Sequence, residues 1–138
     1  MPETLEFMIP AEPKYLKINR LSIKLLCELI GFSTVESNNI TLAIDEACSN
    51  VIRHAYNGPS KEPIHIKCNI YGNKIEFLIR DFGRKANVDQ IKSRELDEIR
   101  PGGLGVHLIK TVMDEVMYDT NFEKGNQLKL IKHFKGRK

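Results

Sequence analysis

The stretch from Leu42 to Tyr56 constrains this chain more than any other, because its pattern predicts a helix with one apolar and one polar side. Apolar residues recur there, and just upstream, at intervals of three and four, which is the repeat of a helix that packs against a core. These residues are Ile40, Ala43, Ile44, Ala47, Cys48, Val51, Ile52 and Ala55.

Three polar residues of the same helix, Glu46, Asn50 and His54, follow at steps of four. Each step of four drifts by about 40° around the helix axis, so the row starts well away from the apolar stripe at Glu46 and reaches its border at His54. We expect the opposite, outward side to carry Asp45, Ser49 and Arg53. A polar row beside a core is typical of a cleft wall and also of a solvated helix edge, and spacing alone leaves both interpretations open.

The length and composition predict one globular domain. The 138 residues are 41% hydrophobic and 28% charged, which suits a single domain over residues 1–138 with a real core. No apolar run is long enough to span a membrane, and the start lacks a signal-like apolar segment, so we expect a cytoplasmic protein without a membrane partner. The net charge of +3 is too weak to indicate direct nucleic-acid binding.

The cysteines Cys27, Cys48 and Cys68 are far apart, and no C-x-x-C spacing occurs. This argues against a zinc site and a disulfide framework. We interpret the three thiols as small buried hydrophobic groups in a reducing compartment.

Helical and strand patterns alternate along the chain, which predicts an α+β fold with one mostly antiparallel sheet and helices on one face. Pro10 and Pro13 are expected to end the first strand, and Ser33-Thr34-Val35-Glu36 has the form of a capping box that opens a helix running through Tyr56. A short helical turn is expected at Val88 to Ile91. The predicted strands are Thr4 to Ile9, Ile64 to Ile70, Ile75 to Arg80, Glu115 to Tyr118 and Gln127 to Phe134, and the first helix is Lys14 to Ile30.

Asp81-Phe82-Gly83 lies at the end of a predicted strand. An ionised Asp there can accept a hydrogen bond from the exocyclic amine of adenine, and Gly83 leaves room for the ring. The alternative is an ordinary strand end followed by an Asx-type turn. The protein-kinase D-F-G is excluded, because the chain is too short for that fold and no H-R-D-x-x-x-x-N precedes the motif.

A second glycine-rich stretch, Gly102-Gly103-Leu104-Gly105, is predicted to lie just before a helix. Glycines allow backbone N–H groups to turn toward a phosphate, and a helix N-terminus adds positive potential. The stretch is neither a dinucleotide fingerprint nor a P-loop, because the residues that complete those motifs are missing.

Together these motifs resemble the GHKL superfamily of gyrase, chaperone and histidine-kinase ATP domains. Within it, the chain is most similar to the stand-alone bacterial anti-sigma factor serine/threonine kinases. The similarity extends over about residues 4 to 134. Its motifs are Glu46-x-x-x-Asn50-x-x-x-His54-Ala55-Tyr56, Asp81-Phe82-Gly83, Gly102-Gly103-Leu104-Gly105 with Leu108-Ile109, Met113-Asp114-Glu115-Val116, and Gly125-Asn126-x-Leu128-x-Leu130-x-Lys132.

The resemblance implies a role for each matched residue. Glu46 would be the general base, and Asn50 would hold Mg²⁺ between the phosphates of ATP. Asp81 and Gly83 would recognise adenine. His54 is more typical of a packing residue than of a catalyst. The phosphates would be met by the glycine-rich stretch and its neighbours, namely Gly102, Gly103, Leu104 and Gly105, with Lys85 or Arg100 reaching the γ-phosphate.

The implied reaction is transfer of the γ-phosphoryl group of ATP to a Ser or Thr of a STAS-type anti-anti-sigma protein, with sequestration of an RNA polymerase sigma factor as the alternative engagement. The family is typically a homodimer, and Arg20 matches a position that contacts partners, although a solvated helix Arg is an equal alternative. Lys85 replaces a usual Gly, which leaves open a non-catalytic module that uses ATP only to shape its partner surface. A detached histidine-kinase ATP domain is disfavoured, because no phosphoacceptor-His helix pair is present.

Overall fold

The computed structural model describes residues 1–86 and 101–134, with only the backbone described for residues 101–106. The predicted turn at Val88 to Ile91 lies outside these residues. The elements are β1 (Glu3–Ala11), α1 (Pro13–Ile30), α2 (Thr34–Asn50), a π-helical turn (Val51–Ala55), β2 (Ser60–Ile70), β3 (Lys74–Asp81), α3 (Pro101–Val112), β4 (Glu115–Asp119) and β5 (Asn126–His133).

The strands form a five-stranded sheet in the order β1-β2-β3-β5-β4. Each pair of neighbours in this sheet is antiparallel. The three helices follow one another across the sheet, with α1 packed on α2 and α2 packed on α3. The predicted α+β fold is therefore confirmed, in an antiparallel version.

The core lies between the helices and one face of the sheet, because side chains alternate along each strand. The inward residues of the central strands are buried, and Phe77 in β3 is fully enclosed. The helices contribute the apolar stripe that the sequence predicts. Its buried members include Ile40, Ala43, Ile44, Ala47, Cys48 and Ile52.

The ends of α1 and α2 follow local sequence rules. Pro13 occupies the first turn of α1, and Gly31 ends it in the left-handed region with a φ of 110°. In the predicted capping box, the Glu36 N–H donates to Ser33 Oγ at 3.1 Å, and the Ser33 N–H donates to Glu36 Oε1 at 3.3 Å. The sequence pattern is confirmed at both sites.

The three cysteines are buried and reduced, as predicted. Removal from water disfavours the thiolate, and burial raises the pKa of Cys27, Cys48 and Cys68 to about 12. These thiols are therefore packing groups.

Three predicted boundaries are wrong, and one of them is the start of β2, which lies at Ser60 instead of Ile64. β1 continues through Pro10 to Ala11, because an edge strand tolerates a proline, and its register with β2 shifts there. The helix expected to run to Tyr56 is α-helical only to Asn50 and then widens into the π-helical turn. None of the helices in the described ranges combines the length and apolar character of a membrane span.

Candidate active site

Glu46 and Asn50 of the polar row share a hydrogen-bond donor that was predicted to lie on the outward side of the helix. Arg53 Nη2 donates to Glu46 Oε1 at 2.8 Å and to Asn50 Oδ1 at 2.7 Å. The prediction that Arg53 lies on the opposite side of the helix is therefore wrong. Seven residues complete almost two turns, so Arg53 returns to within about 20° of the direction of Glu46. The drift of about 40° per four residues also acts along Asp45, Ser49 and Arg53, and it brings Arg53 next to Glu46.

His54 does not lie at the border of the core as expected, because its side chain is exposed at the π-helical turn. Its carbonyl oxygen accepts a hydrogen bond from Arg84 Nη2 at 3.1 Å. The backbone at His54 thus contacts the loop after β3. Of the predicted row, Glu46 and Asn50 are half-buried and share one cationic partner.

The end of the helix is fastened to the end of β3. The carbonyl of Ala55 accepts from the Arg84 N–H at 2.7 Å. The Tyr56 hydroxyl accepts from the Phe82 N–H at 2.9 Å and donates to the carbonyl of Pro63 at 2.6 Å. A Cβ on Gly83 would collide with the Ala55 carbonyl, so glycine is required by this close approach.

Asp81 is a buried carboxyl group where the end of β3 meets the π-helical turn, a region called the Asp81 corner below. Only 3% of its surface is exposed. Its Oδ1 accepts from the Gly83 N–H at 3.0 Å, which is the Asx-type turn that the sequence allowed. Burial raises the pKa of Asp81 above its ordinary value of 3.8, against the opposing effect of its hydrogen bonds to Gly83 and Asn126.

Asn126 lies in the last motif that carries the family resemblance, but the sequence did not predict that its side chain would hold Asp81. It lies directly opposite Asp81 in the β3–β5 register. Its Nδ2 donates to both Asp81 carboxylate oxygens, at 3.1 and 3.3 Å, and to the carbonyl of Arg84 at 2.9 Å. Its Oδ1 accepts from the Ala86 N–H at 2.6 Å. Strand alternation after Gly125 was the available signal, because it places Asn126 on the inward face.

Arg80 supports the same corner from the other face of the sheet. Its guanidinium group lies 4.4 Å from the ring centre of Phe82 and 3.9 Å from that of Phe122. It also donates to the carbonyls of Asp81, Asn126 and Lys124. The loop before β5 is thereby tied to the strand that carries Asp81.

The glycine-rich stretch differs from its predicted position. Gly102, Gly103, Leu104 and Gly105 form the beginning of α3, whose helix starts at Pro101 and packs on α2. They do not precede the helix, because backbone geometry there is already helical. Of the two expected phosphate-reaching cations, Lys85 is exposed beside the Asp81 corner, and Arg100 lies outside the described residues.

Arg20 on α1 forms an ion pair with Asp45, with Nη1 3.1 Å from Oδ1. Asp45 immediately precedes Glu46 in α2, so this pair joins the exposed side of α1 to the helix that carries the polar row. Side chains at both ends of the pair keep partial exposure, 41% and 23%.

The side-chain oxygens of Glu46 and Asn50 are of the kind that could bind a magnesium ion shared with a nucleotide. In the part of the chain that the structure describes, no cluster of three or more His, Cys, Asp or Glu could hold a metal alone. Mg²⁺ usually takes one or two oxygen ligands from a protein and the rest from phosphates and water. The guanidinium nitrogen of Arg53, held by the Glu46 and Asn50 oxygens, is a cation already placed between those donors.

Comparison with known proteins gives the family of the chain. Residues 9–132 match the family of histidine kinase-like ATPase domains. The chain is 30% identical over 140 residues to the serine-protein kinase RsbW of Bacillus velezensis, a match that covers 96% of this chain and 86% of that protein. It is also 30% identical over 120 residues to the RsbW of Bacillus subtilis, covering 81% and 75% of the two chains.

Solved structures share the fold at lower identity. A chain of the SiaB–SiaC complex from Pseudomonas aeruginosa superimposes with a TM-score of 0.69 at 13% identity, covering 92% of this chain and 88% of that one. The RsbU and RsbW domains of a Mycobacterium tuberculosis protein give a TM-score of 0.68 at 16% identity, covering 94% and 31%. The predicted resemblance is confirmed: the chain belongs to the family of histidine kinase-like ATPase domains, among the serine-protein kinases of the RsbW type.

Proposed function

We propose that this protein is an anti-sigma factor kinase, which uses Mg-ATP to phosphorylate a Ser or Thr of a STAS-type anti-anti-sigma protein and otherwise sequesters a sigma factor. The observation that carries the proposal is the pair of Glu46 and Asn50 oxygens, one helical turn apart and facing one cation, on a helix fastened to the Asp81 corner. The relatives are named serine-protein kinases, so the non-catalytic module is not favoured.

In this reaction Glu46 takes the proton of the acceptor hydroxyl as its oxygen attacks the γ-phosphorus atom. The bond from the γ-phosphorus to the bridging oxygen breaks, and ADP leaves with that oxygen. Asn50 would hold Mg²⁺, which neutralises charge on the phosphates. Catalysis of this kind depends on positioning, which suits a base on a helix rather than on a loop.

The nucleotide would lie between the two ends of the site. Asp81 accepts a hydrogen bond from the exocyclic amine of adenine. Its Oδ2 accepts from Asn126 Nδ2 at 3.3 Å and can take a further donor, because a carboxylate oxygen has two lone pairs. Gly83 contributes through its N–H, which donates to Asp81 Oδ1, because the space beside its Cα is filled by the Ala55 carbonyl and is not open to the ring. The beginning of α3, with Gly102, Gly103, Leu104 and Gly105, offers N–H groups to the phosphates. Lys85 or Arg100 is the cation assigned to the γ-phosphate.

The partner surface is assigned to α1 around Arg20. Three neighbouring side chains of this helix, Ile18, Leu21 and Leu25, are more than half exposed. Exposed apolar groups beside a charged residue are typical of protein-binding surfaces. Because Arg20 pairs with Asp45, a partner that binds Arg20 would act directly on the helix of the base. A chain with the same fold has been solved in a complex of two proteins, SiaB and SiaC. We expect a homodimer.

The test is phosphoryl transfer from Mg-ATP to a STAS partner by the wild type and by Glu46→Gln. Loss of the base should lower the transfer rate about a hundredfold to ten-thousandfold, with ATP binding retained. Glu62→Gln is the matched control, because Glu62 is an exposed carboxylate outside the polar row. Transfer by Glu46→Gln at the wild-type rate would remove Glu46 from its role.

A further inference from the structure

We infer that Arg53 occupies the metal position of the nucleotide-free protein, so that a divalent cation enters the site only together with a nucleotide. The inference rests on the proposed function, because it takes Asn50 as the magnesium ligand and Glu46 as the base. It adds a residue, and an order of binding, to that site.

The geometry is that of one cation held by two oxygens. A single nitrogen, Arg53 Nη2, lies 2.8 Å from Glu46 Oε1 and 2.7 Å from Asn50 Oδ1. These distances are typical of strong, charge-assisted hydrogen bonds. The same side chain forms both contacts, so it bridges the base and the proposed metal ligand and aligns the two oxygens before any substrate arrives.

A magnesium ion needs the oxygen that Arg53 already holds. Mg²⁺ binds oxygen at about 2.0–2.1 Å and repels a guanidinium group that shares the same donor. The ion must therefore displace Arg53 from Asn50. In the nucleotide-free site the gain is small, since the described residues offer the ion the Glu46 and Asn50 oxygens and Mg²⁺ parts reluctantly with its water.

A nucleotide reverses this balance. Its triphosphate supplies further oxygen ligands for the metal, and it also offers Arg53 an anion that guanidinium groups bind in two-pronged fashion. Arg53 can leave because its side chain is 50% exposed. Displacement then costs little, which is what an ordered sequence of binding requires.

The experiment measures metal binding without nucleotide. Mn²⁺ serves as the probe, because free and bound ion are distinguished by electron paramagnetic resonance. Arg53→Met should bind Mn²⁺ at least about threefold to fivefold more tightly than the wild type, the factor that loss of a partly exposed ion pair provides. Arg53→Lys keeps a cation in reach and should stay near the wild type. Lys61→Met removes an equal charge from an exposed position of β2 and should change nothing.

Two results would overturn the inference: equal Mn²⁺ affinity in Arg53→Met and wild type, or equal gains in Arg53→Met and Lys61→Met. Unfolding curves establish that each variant folds. The double variant Arg53→Met/Asn50→Ala separates the inference from the proposed function. If the gained Mn²⁺ binding survives removal of Asn50, the metal assignment itself fails. If Arg53→Met gains nothing while Glu46→Gln abolishes transfer, only the role of Arg53 falls.

Discussion

The two ends of the active site are built in opposite ways. At the Asp81 corner, a buried carboxylate is fixed by main-chain and amide donors from β3 and β5. On the polar row, half-buried Glu46 and Asn50 are both held by the exposed side chain of Arg53. If the proposed roles hold, the adenine site is formed in advance, whereas the phosphoryl-transfer site must exchange the contacts of Arg53 for those of its substrate.

The largest effect should come from adding one methyl group to the rigid end. Gly125 has a φ of 83°, and a Cβ there would overlap the Asp81 carbonyl. Gly125→Ala should lower the free energy of unfolding by about 3 kcal/mol or more, because left-handed strain and overpacking add. Urea unfolding measures this. Gly72→Ala is the control, since nothing lies near its Cβ position; equal losses in both variants would mean that the corner is not tightly packed.

The same substitution in both regions sharpens the comparison. Asn126→Ala removes donors from Asp81 and an acceptor from the Ala86 N–H, and should cost about 1–3 kcal/mol of folding free energy. Asn50→Ala loses one contact on a partly exposed surface, and should cost below about 0.5 kcal/mol. Thermal or urea unfolding of the two variants gives the answer. A cost at Asn50 that matches Asn126 would contradict the contrast.

The smallest effect concerns pH. Burial raises the pKa of Asp81 above 3.8, so the fold favours its neutral form. That contribution to stability is complete below pH 3.8, the unfolded value, and is lost as the pH rises through the higher folded value. The stability of the wild type relative to Asp81→Asn should therefore fall as the pH rises through this window. Adenine binding should show the opposite slope, since it requires the carboxylate as acceptor. Parallel unfolding and fluorescent ATP-analogue titrations between pH 3.5 and pH 7, about the range in which carboxyl groups titrate, test both slopes; parallel slopes would remove Asp81 from adenine recognition.

Much of the fold follows from local sequence patterns. The helix stripe, the capping box, the Gly31 end and the Asx-type turn depend on nearest neighbours in the chain, and all are present. The comparisons confirm the family that the motifs indicated, and the roles of the individual site residues are proposals.

The errors have a common physical source. The prediction for Arg53 fails because the helical drift of about 40° per four residues, applied in it only to the row that ends at His54, also carries Arg53 toward Glu46. The π-helical turn and the role of Asn126 depend on partners 29 and 45 residues away, such as Arg84 for Ala55 and Asp81 for Asn126. Periodicity in a sequence does not report such distant hydrogen bonds.

The hydrogen bond of the Ala55 carbonyl also limits insertions and deletions in this part of the chain during evolution. In a continued α-helix its partner would be residue 59, which is Pro59 and has no N–H to give. The Arg84 N–H takes that place. Inserting or deleting a single residue between Asn50 and Ala55 would break this hydrogen bond and turn Arg53 away from Glu46, so the length of this segment is constrained in descendants of this protein.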